Sequence, residues 1–421
     1  MSRERVAVIG SGVSGLTAAY LLQRRYDVLL FEADDRPGGH AHTHDVSTSD
    51  GANLRVDTGF IVHNERTYPN LLRLFGELGV RTQPSEMSMS VRCDGCGLEY
   101  AGGKGVAGLR AQPRALLRPA YLRMLSELPR FHRDARRMLA NPQRAEMTLS
   151  EFVKAGGYSR YFVDHLLLPL VSAVWSSDPA TSGRYPARYL FAFLQHHGML
   201  SIAGAPPWRT VTGGSRSYVQ RAVKELTAVH LATPVRSIRR HPDGVEVRDD
   251  GDQPHHVERV VIATHADQAL RLLADPTGPE RRTLGAFRYS RNETWLHRDT
   301  GVLPVADGAR ASWNYRKPGC RSEPGSVLVS YDMSRLMRLP GPDAHLVTLN
   351  ATGDIDPATV IARMTYEHPI YTADSVGAQR ALPRLNDAVT AYAGAYHGWG
   401  FHEDGCVSGV RAAEGFGSGW S

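Results

Sequence analysis

An α/β fold is predicted for this chain of 421 residues from three features of its sequence. A short apolar strand, a glycine-rich turn, a helix and a second strand follow one another at the N-terminus. Further apolar strands recur only after long insertions, so the parallel sheet is expected to be assembled from discontinuous segments. Hydrophobic residues make up 42% of the chain and charged residues 22%, which is typical of globular domains. The insertions indicate a second domain of mixed α+β structure.

The glycine-rich turn has the pattern of a Rossmann-type dinucleotide site. Gly10 permits a tight turn, Gly12 lets the backbone approach a pyrophosphate, and Gly15 lets helix and strand pack closely. The helix predicted over 16–25 offers free N–H groups and a positive dipole end to phosphates, and Ser14 lies beside it in the turn. The sequence therefore predicts binding of a dinucleotide.

The residues after the second strand, 28–31, narrow the ligand. Glu32 follows Gly12 by about twenty residues, where a carboxylate accepts the hydroxyls of an adenosine ribose. Arg36, Gly38 and Gly39 complete the pattern E-x-x-x-R-x-G-G. This start resembles that of the flavin amine oxidase, protoporphyrinogen oxidase and phytoene desaturase superfamily. The resemblance implies FAD as the cofactor, and a contact with it from His40, next in the chain.

The resemblance implies further FAD contacts far along the sequence. Val235 matches the strand whose backbone meets the adenine, in a hairpin predicted around 242–244. Thr264 ends a buried strand that resembles the superfamily's A-T-G strand, although His265 replaces its last glycine. Gly394 matches the start of the final flavin segment.

That final segment departs from the superfamily pattern at one position. Ala395 stands where an acid usually holds the ribityl chain, and Glu403 or Asp404 is the expected replacement. A helix predicted over 405–413 is expected to offer its first N–H groups to the flavin ring. The flavin contacts expected in this part are Trp399, Gly405, Cys406 and Val407.

The same resemblance, which covers essentially the whole chain, implies two domains. Its segments predict an FAD-binding domain at 1–59, 206–265 and 386–421. A substrate-binding domain is predicted at 60–205 and 266–385. The G-x-G-x-x-G pattern directly after an apolar strand occurs once, at Gly10, Gly12 and Gly15, so no second nucleotide unit for NAD(P)H is expected. The electron acceptor is expected to be oxygen, a quinone or another protein.

Catalytic residues are predicted from chemistry near the expected flavin. His397 and His402 adjoin the ring in the resemblance, and Glu293 lies on a strand predicted over 288–297. Flavin amine oxidases usually carry a lysine on that strand, and this chain has none there. The missing lysine counts against simple amine oxidation. It leaves carbon–carbon dehydrogenation or flavin-assisted isomerisation of an apolar substrate.

Two groups of residues are of types that can bind metals, but no metal site is predicted at either. His40, His42 and His44 alternate and would share one face of a strand, where they are expected to act as hydrogen-bonding groups or proton relays at the flavin. Cys93 and Cys96 form C-D-G-C, but zinc needs two more ligands and none is near in the sequence. We interpret that segment as a structural turn.

The formal net charge is +6 and the basic residues are mostly arginine, with no nucleic-acid-binding motif. No apolar run is long enough to cross a membrane and no signal peptide is recognised, so a cytoplasmic protein is expected. The helical stretch 108–145 is rich in arginine, which indicates either a solvated face or peripheral contact with the inner face of a membrane.

The combination of G-G-H-A-H-T-H, V-D-T-G-F-I-V-H-N and Y-H-G-W-G-F-H resembles a bacterial branch of this superfamily, whose members are commonly encoded beside cyclopropane fatty-acid synthase-like methyltransferases. This association implies a lipid-like substrate and a methyltransferase partner. We therefore expect hydride transfer from a substrate carbon to flavin N5, which desaturates an apolar substrate. The alternatives are oxidation of a small amine, double-bond isomerisation, and a flavin-binding subunit that assists a lipid methyltransferase without turnover of its own.

Overall fold

A computed structural model describes residues 3–141, 146–201, 204, 206–321, 327–350 and 353–420. Arg144 of the predicted arginine-rich stretch lies outside these residues. The strands within them are β1 Arg5–Ile9, β2 Asp27–Phe31, β3 Thr43–Ser47, β4 Asn53–Asp57, β5 Val62–Asn64, β6 Thr82–Pro84, β7 Met89–Cys93, β8 Leu98–Gly102, β9 Trp208–Val211, β10 Ala228–His230, β11 Val235–His241, β12 Gly244–Asp249, β13 Pro254–Val257, β14 Arg259–Ile262, β15 Arg288–His297, β16 Trp313–Lys317, β17 Val329–Asp332, β18 Leu346–Leu349, β19 Val360–Ile370 and β20 Thr390–Tyr392.

Helices alternate with these strands and cover both main sheets. They are α1 Val13–Leu22, α2 Pro69–Glu77, α3 Gly105–Leu109, α4 Pro119–Ala140, α5 Leu149–Ala155, α6 Arg160–Phe162, α7 Leu168–Trp175, α8 Pro179–Gly183, α9 Ala187–His196, α10 Arg216–Lys224, α11 Ala266–Leu272, α12 Gly278–Leu284, α13 Met333–Leu336, α14 Ala373–Gln379 and α15 His402–Gly415. A short π-helical segment, Val163–Leu167, joins α6 to α7. No helix of the described residues is both long and apolar enough to cross a bilayer.

The first sheet is parallel and has the order β10-β2-β1-β14-β20. The prediction of an α/β fold with a Rossmann-type sheet built from discontinuous segments is confirmed. Residues 6–9 of β1 and 260–262 of β14 are buried and apolar, as expected for a sheet covered on both faces. The edge strand β10, which is the third strand of this sheet along the chain, is a short segment that the sequence did not indicate.

The predicted hairpin near residue 243 is present, but it lies outside the parallel sheet. β11, β12 and β13 form a separate antiparallel sheet inserted between β10 and β14. Val235 begins β11, opposite Asp249, and is half-buried.

The second large sheet has seven strands in the order β19-β15-β18-β17-β16-β7-β8. It is antiparallel except for the pair β16 and β7, whose strands come from the two different predicted insertions. The order of these strands shows that both insertions build one sheet, with α4 to α9 contributing to the core packed against it. β15 spans Arg288–His297, so the strand predicted over 288–297 is confirmed.

Two small sheets connect the segments. β3 pairs with β4, and β9 joins β5 and β6, which lie in the first insertion. The boundaries of the two domains stay a prediction, because β9 belongs by sequence to the predicted FAD-binding segments and pairs only with strands of the other domain.

Candidate functional site

The glycine-rich turn has the geometry that each glycine requires. Gly10 has a φ of +97°, and a Cβ there would lie 2.8 Å from the carbonyl oxygen of Ala263. A Cβ on Gly15 would lie 1.9 Å from the carbonyl oxygen of Gly10, so only glycine lets α1 pack this closely. A Cβ on Gly12 would meet no described atom within 4 Å. The backbone of Gly12 therefore faces open space at the start of α1.

The E-x-x-x-R-x-G-G segment folds back onto this turn. One carboxylate oxygen of Glu32 accepts hydrogen bonds from the backbone N–H, at 2.9 Å, and the hydroxyl of Ser11. The Ser11 hydroxyl oxygen accepts from the N–H of Gly38 at 2.9 Å, and Arg36 donates to the carbonyl of Gly39 at 2.9 Å. These bonds place Glu32, Arg36 and the glycine pair around Gly12.

The last helix begins earlier than its sequence predicted. α15 starts at His402, and the N–H of Gly405 already donates to the carbonyl of Phe401 at 3.1 Å. The prediction that Gly405, Cys406 and Val407 offer free N–H groups is therefore wrong, because residues beyond the first turn donate within the helix. The free N–H groups of the first turn belong to His402, Glu403 and Asp404.

The side chain of Cys406 is fully buried between α1 and α15, where the hydroxyl of Thr17 lies 3.5 Å from its sulfur. A Cβ on Gly405 would lie 3.0 Å from the hydroxyl of Ser14, which is itself buried. Ser14, Gly405 and Cys406 therefore hold the two helices together.

The two acids expected to replace the missing ribityl contact hold backbone groups instead. Glu403 accepts hydrogen bonds from the backbone and side chain of Asn70 and from the N–H of Leu71, at 2.9 to 3.0 Å, and so caps α2. Asp404 accepts from the N–H of Phe401 at 2.9 Å, and burial raises its pKa to about 7. Both carboxylates therefore already accept hydrogen bonds from the protein.

Thr264 and Gly394 lie at the ends of neighbouring parallel strands. The methyl group of Thr264 would lie 3.5 Å from a Cβ on Gly10. Gly394 follows β20 and donates its N–H to the hydroxyl of Ser408 at 2.8 Å. The carboxyl ends of the strands in such a sheet are where ligands bind.

A histidine cluster lies where the two large sheets approach each other. The ring of His40 lies 4.9 Å from that of Tyr366 and 5.5 Å from that of His368, measured between ring centroids. The Nε2 atom of His40 is buried and has no hydrogen-bond partner among the described residues. The rings of His42 and His44 lie on one side, as predicted, with centroids 4.1 Å apart, although only His44 is within β3 and both His40 and His42 precede it.

Hydrogen bonds fix the tautomers of two histidines in this cluster. The amide nitrogen of Asn292 donates to Nδ1 of His368 at 3.0 Å, which leaves the proton of His368 on Nε2. The hydroxyl of Thr58 donates to the carbonyl of His42, and the Tyr366 hydroxyl lies 2.7 Å from that of Thr58. Tyr366 therefore donates to Thr58 and accepts from Nδ1 of His42 at 3.0 Å.

Burial lowers the pKa of every histidine in this region. The pKa of His42 falls to about 3 and that of His368 to about 4. Burial is also the main reason that the pKa of His40 lies well below its usual range, and His368, His265, His402 and Arg36 lower it further. These imidazoles are neutral at physiological pH, so the cluster offers acceptors and donors without fixed charge.

The predicted catalytic role of Glu293 is contradicted by its position. Side chains alternate along β15, so the buried Asn292 faces the histidine cluster while Glu293 faces the opposite side. Glu293 is exposed, accepts a hydrogen bond from the indole of Trp295 at 2.8 Å and lines a surface cavity of about 470 Å³.

The other predicted ring contacts lie near the start of α15. His402 stacks on Phe60 with ring centroids 3.7 Å apart, and its Nε2 atom lies 3.2 Å from the hydroxyl of Tyr218. His397 Nε2 and Trp399 Nε1 are buried without a partner among the described residues. Burial lowers the pKa of His402 to about 3 and that of His397 to about 4.

Sequence reasoning missed three members of the cluster: Tyr366, His368 and Asn350. Asn350 donates to the side-chain oxygen of Asn292 at 2.8 Å. Tyr366 and His368 alternate on β19, opposite Asn292 and Ser290 of β15. The i, i+2 spacing of Tyr366 and His368 could have indicated that they share one face of a strand. The pairing of that strand with β15 could not be read from the sequence.

Cys93 and Cys96 have two further potential metal ligands near them in space, which their spacing in the sequence did not indicate. His165 and Cys320 lie beside them, although both are distant in the sequence. Spacing along the chain does not report neighbours across a sheet.

The arrangement around Gly12 fits an extended dinucleotide. The open space beside Gly12 leaves room for a pyrophosphate. FAD phosphates and ring atoms would accept hydrogen bonds from the first-turn N–H groups of α1 and α15 and would give the Nε2 of His40 a partner. An unpartnered buried polar atom is costly, so a bound ligand explains it physically.

Comparisons with known proteins agree with this geometry. A plant protoporphyrinogen oxidase, from Arabidopsis thaliana, is 30% identical over 189 residues, which are 42% of this chain and 34% of that protein. The chain thus spans about a third of the length of that curated relative. Two solved structures share the fold. One is a fatty acid isomerase that produces CLA, from P. acnes, with a TM-score of 0.69 and 17% identity over 96% of this chain and 97% of that one. The other is the cyclohexylamine oxidase of Brevibacterium oxydans IH-35A, with a TM-score of 0.65 and 18% identity over 98% of each chain.

A family match covers more of the chain than the curated relative does. Residues 13–292 match the family of flavin containing amine oxidoreductases, which is more than half of the chain. Members of this family bind FAD. The chain therefore belongs to the flavin-containing amine oxidoreductases.

Proposed function

We propose that this enzyme dehydrogenates a carbon–carbon bond of an apolar, lipid-like substrate. The observation that carries the proposal is the inner face of β15, where Asn292 bonds to His368 and where the sequence has no lysine. The groups facing the cluster from β15 and β19 are neutral hydrogen-bonding side chains. Such a site suits a substrate without charge at the reacting carbon.

We place FAD along the glycine-rich turn and the start of α15. Gly10, Gly12 and Gly15 would admit the pyrophosphate, and Glu32 would bind the adenosine ribose. The free N–H groups of His402, Glu403 and Asp404, at the positive end of α15, would face the ring. When bound, FAD accepts the two electrons that leave the substrate.

The residues of the chain would supply the proton chemistry. The unpartnered Nε2 of His40 is a buried imidazole atom beside His368 and Tyr366, so we assign it the proton that leaves the substrate. The chain of hydrogen bonds from His42 through Tyr366 to Thr58 fixes the position of the tyrosine ring that packs on His40.

An aromatic wall beside this site supports an apolar substrate. Phe193 and Phe401 stack with ring centroids 4.8 Å apart, and Phe193 lies 5.9 Å from the ring of Trp399. The indole of Trp175 donates to the carbonyl of Trp399 at 3.1 Å, which fixes this wall in place. Such a surface excludes water from the reacting atoms.

Oxidation of a small amine is the main alternative. It would be favoured by a carboxylate in the site that could bind an ammonium group, but Glu293 lies on the other face of β15. Double-bond isomerisation uses the same residues without net electron loss. A flavin-binding subunit that assists a lipid methyltransferase would show no turnover.

Anaerobic mixing of the purified flavoprotein with candidate substrates separates these functions. Loss of the visible absorbance of oxidised flavin with a long-chain fatty acyl lipid, and not with putrescine, is the expected result. Bleaching by putrescine alone would establish amine oxidation. A shifted double bond without net oxidation would show an isomerase, and flavin that stays oxidised with a methyltransferase present would show a binding subunit.

We also propose peripheral membrane contact through the arginine-rich stretch. Leu117 is 82% exposed and Leu122 is 48% exposed, close to Arg114 and Arg123. Exposed leucines flanked by arginines are typical of surfaces that insert into an anionic interface. Co-sedimentation with anionic but not zwitterionic vesicles, lost in Leu117→Glu, is the expected result; equal binding by the variant would refute it.

A further inference from the structure

Four side chains that bind metals converge beside the edge hairpin of the seven-stranded sheet. Cys93 ends β7, Cys96 lies in the turn before β8, His165 lies in the π-helical segment, and Cys320 follows β16. One ligand atom from each, a sulfur or a ring nitrogen, lies within 4.8 Å of all the others. Three parts of the chain thus meet at one point.

The separations match the edges of a metal-centred tetrahedron. The sulfur atoms of Cys93 and Cys320 are 3.9 Å apart, and the sulfur of Cys96 lies 3.7 Å from Nε2 of His165. Zinc bonds of about 2.3 Å to sulfur and about 2.0 Å to nitrogen place two sulfurs about 3.8 Å apart, and a sulfur and a nitrogen about 3.6 Å apart. Two of the six edges therefore have the length that tetrahedral zinc requires, and the others are no longer than 4.8 Å.

A disulfide does not account for this arrangement. All three cysteines are free, and the 3.9 Å between the sulfurs of Cys93 and Cys320 is far longer than a bond of about 2.05 Å.

The hairpin turn is built to bring its two cysteines together. Gly97 has a φ of +63° and donates its N–H to the carbonyl of Cys93 at 2.8 Å. A Cβ on Gly95 would lie 2.9 Å from the backbone nitrogen of Cys320, so the turn touches the Cys320 segment directly. The N–H of Asp94 donates to the carbonyl of Lys317 at 2.8 Å, which joins the turn to β16.

His165 is oriented for coordination through Nε2. Its Nδ1 lies 3.3 Å from the carbonyl of Tyr161, and a carbonyl only accepts, so the proton is on Nδ1. This is the usual outer contact of a metal-binding histidine, and it leaves the Nε2 lone pair directed at Cys96. The ring is buried and stacks on that of Tyr161 at 4.0 Å. π-Helical segments often occur at functional sites.

The geometry points to a structural zinc site formed by Cys93, Cys96, His165 and Cys320. Three thiolates and one imidazole in a closed tetrahedron are typical of structural zinc. Binding would release the three thiol protons to solvent. The site would then carry one net negative charge, and the basic side chains nearby suit it: Lys317 pairs with Cys93 in the ladder and is buried, and Arg118 donates to the carbonyl of Cys96 at 2.8 Å.

The ion would join the edge hairpin to the rest of the substrate-binding part. Cys93, Cys96 and His165 belong to the first insertion and Cys320 to the second. A metal that closes loops of this length constrains the unfolded chain strongly. The ion is expected to stabilise the fold and to fix the position of the sheet edge. It takes no part in the redox reaction.

Metal analysis of the intact flavoprotein, purified without chelator, tests this site. We expect about one zinc ion per chain. Growth with cobalt in place of zinc is expected to give tetrahedral thiolate–cobalt bands at wavelengths longer than those that oxidised flavin absorbs. Protein that binds neither ion at stoichiometry, or that contains a disulfide among these cysteines, would overturn the inference.

Variants distinguish ligands from neighbours. Cys96→Ser and Cys320→Ser are expected to lower zinc content about tenfold. Cys406→Ala, at the cysteine outside the cluster, is expected to keep zinc at the wild-type level. Flavin absorbance reports whether each variant has folded. If a ligand variant fails to fold, wild-type protein should lose thermal stability on zinc removal by a chelator and regain it with added zinc. Full zinc content in Cys96→Ser, or a melting temperature indifferent to zinc, would contradict the site.

Discussion

His40 lies where several effects lower a pKa together. It is buried, its neighbours His368, His265 and His402 are also basic, and Arg36 adds a positive charge nearby. Its Nε2 has no partner among the described residues. The lowered pKa keeps this imidazole neutral, so that its open nitrogen stays available to a bound ligand.

Asn292 and Glu293 allow a matched comparison at adjacent positions. Asn292→Ala removes the donor to Nδ1 of His368, so we expect the free energy of unfolding to fall by about 2 kcal/mol. We also expect slower flavin reduction, because His368 packs on His40. Denaturant titration and anaerobic stopped-flow measurements check both effects.

Glu293→Gln is the control for that variant. Its side chain is exposed and faces away from the cluster, so stability and flavin reduction are expected to stay unchanged. A large loss of reduction rate in Glu293→Gln would restore the carboxylate to a catalytic role.

At the scale of elements, α15 links the flavin segment to α2. The carboxylate of Glu403 accepts three hydrogen bonds from the first turn of α2. Glu403→Ala is expected to lower the free energy of unfolding by about 2 kcal/mol. Denaturant titration measures this loss, and Glu414→Ala, at an exposed position near the end of the same helix, should change it little. Equal effects of the two would argue against the cap.

The elements with strong local patterns could be predicted from the sequence. β1, α1, β2 and β14 follow apolar runs bounded by turn residues, and each is present. β10 has three half-buried residues and is specified by pairing with β2. The start of α15 was missed because Phe401 is not a recognisable cap, and Asp404 supplies the capping bond from inside the helix.

Contacts between segments that are distant along the chain could not be predicted, because local patterns do not show which segments pair. Alternation along β15 allows two facings, and only pairing with β19 shows that Asn292 faces inward. The four residues of the proposed zinc site come from a sheet edge and a π-helical segment, and no local sequence pattern shows that these elements are neighbours.

At the scale of the whole molecule, buried histidines should make the protein sensitive to acid. The pKa of His402 is about 3 and that of His368 about 4, below the ordinary value of about 6.5. In the unfolded chain both protonate near pH 6.5, so their contribution is fully present above that pH and is lost as pH falls toward 4. We expect each to lower stability by about 1.4 kcal/mol per pH unit in this range.

Thermal unfolding of the flavoprotein across that range measures the slope. His368→Gln should make it shallower, whereas His256→Gln, at an exposed position, should leave it unchanged. A melting temperature that stays constant from pH 7 to about pH 4 would contradict the neutral, buried state of the cluster.

The flavin content of Gly12→Val tests the central claim most directly, that the N-terminal turn holds FAD. A Cβ at Gly12 meets no described atom, so the variant is expected to fold with wild-type secondary structure and to lose bound flavin. Gly76→Val, at another position where a Cβ meets no described atom within 4 Å, is expected to keep it. Folded Gly12→Val that still carries stoichiometric flavin would contradict the account.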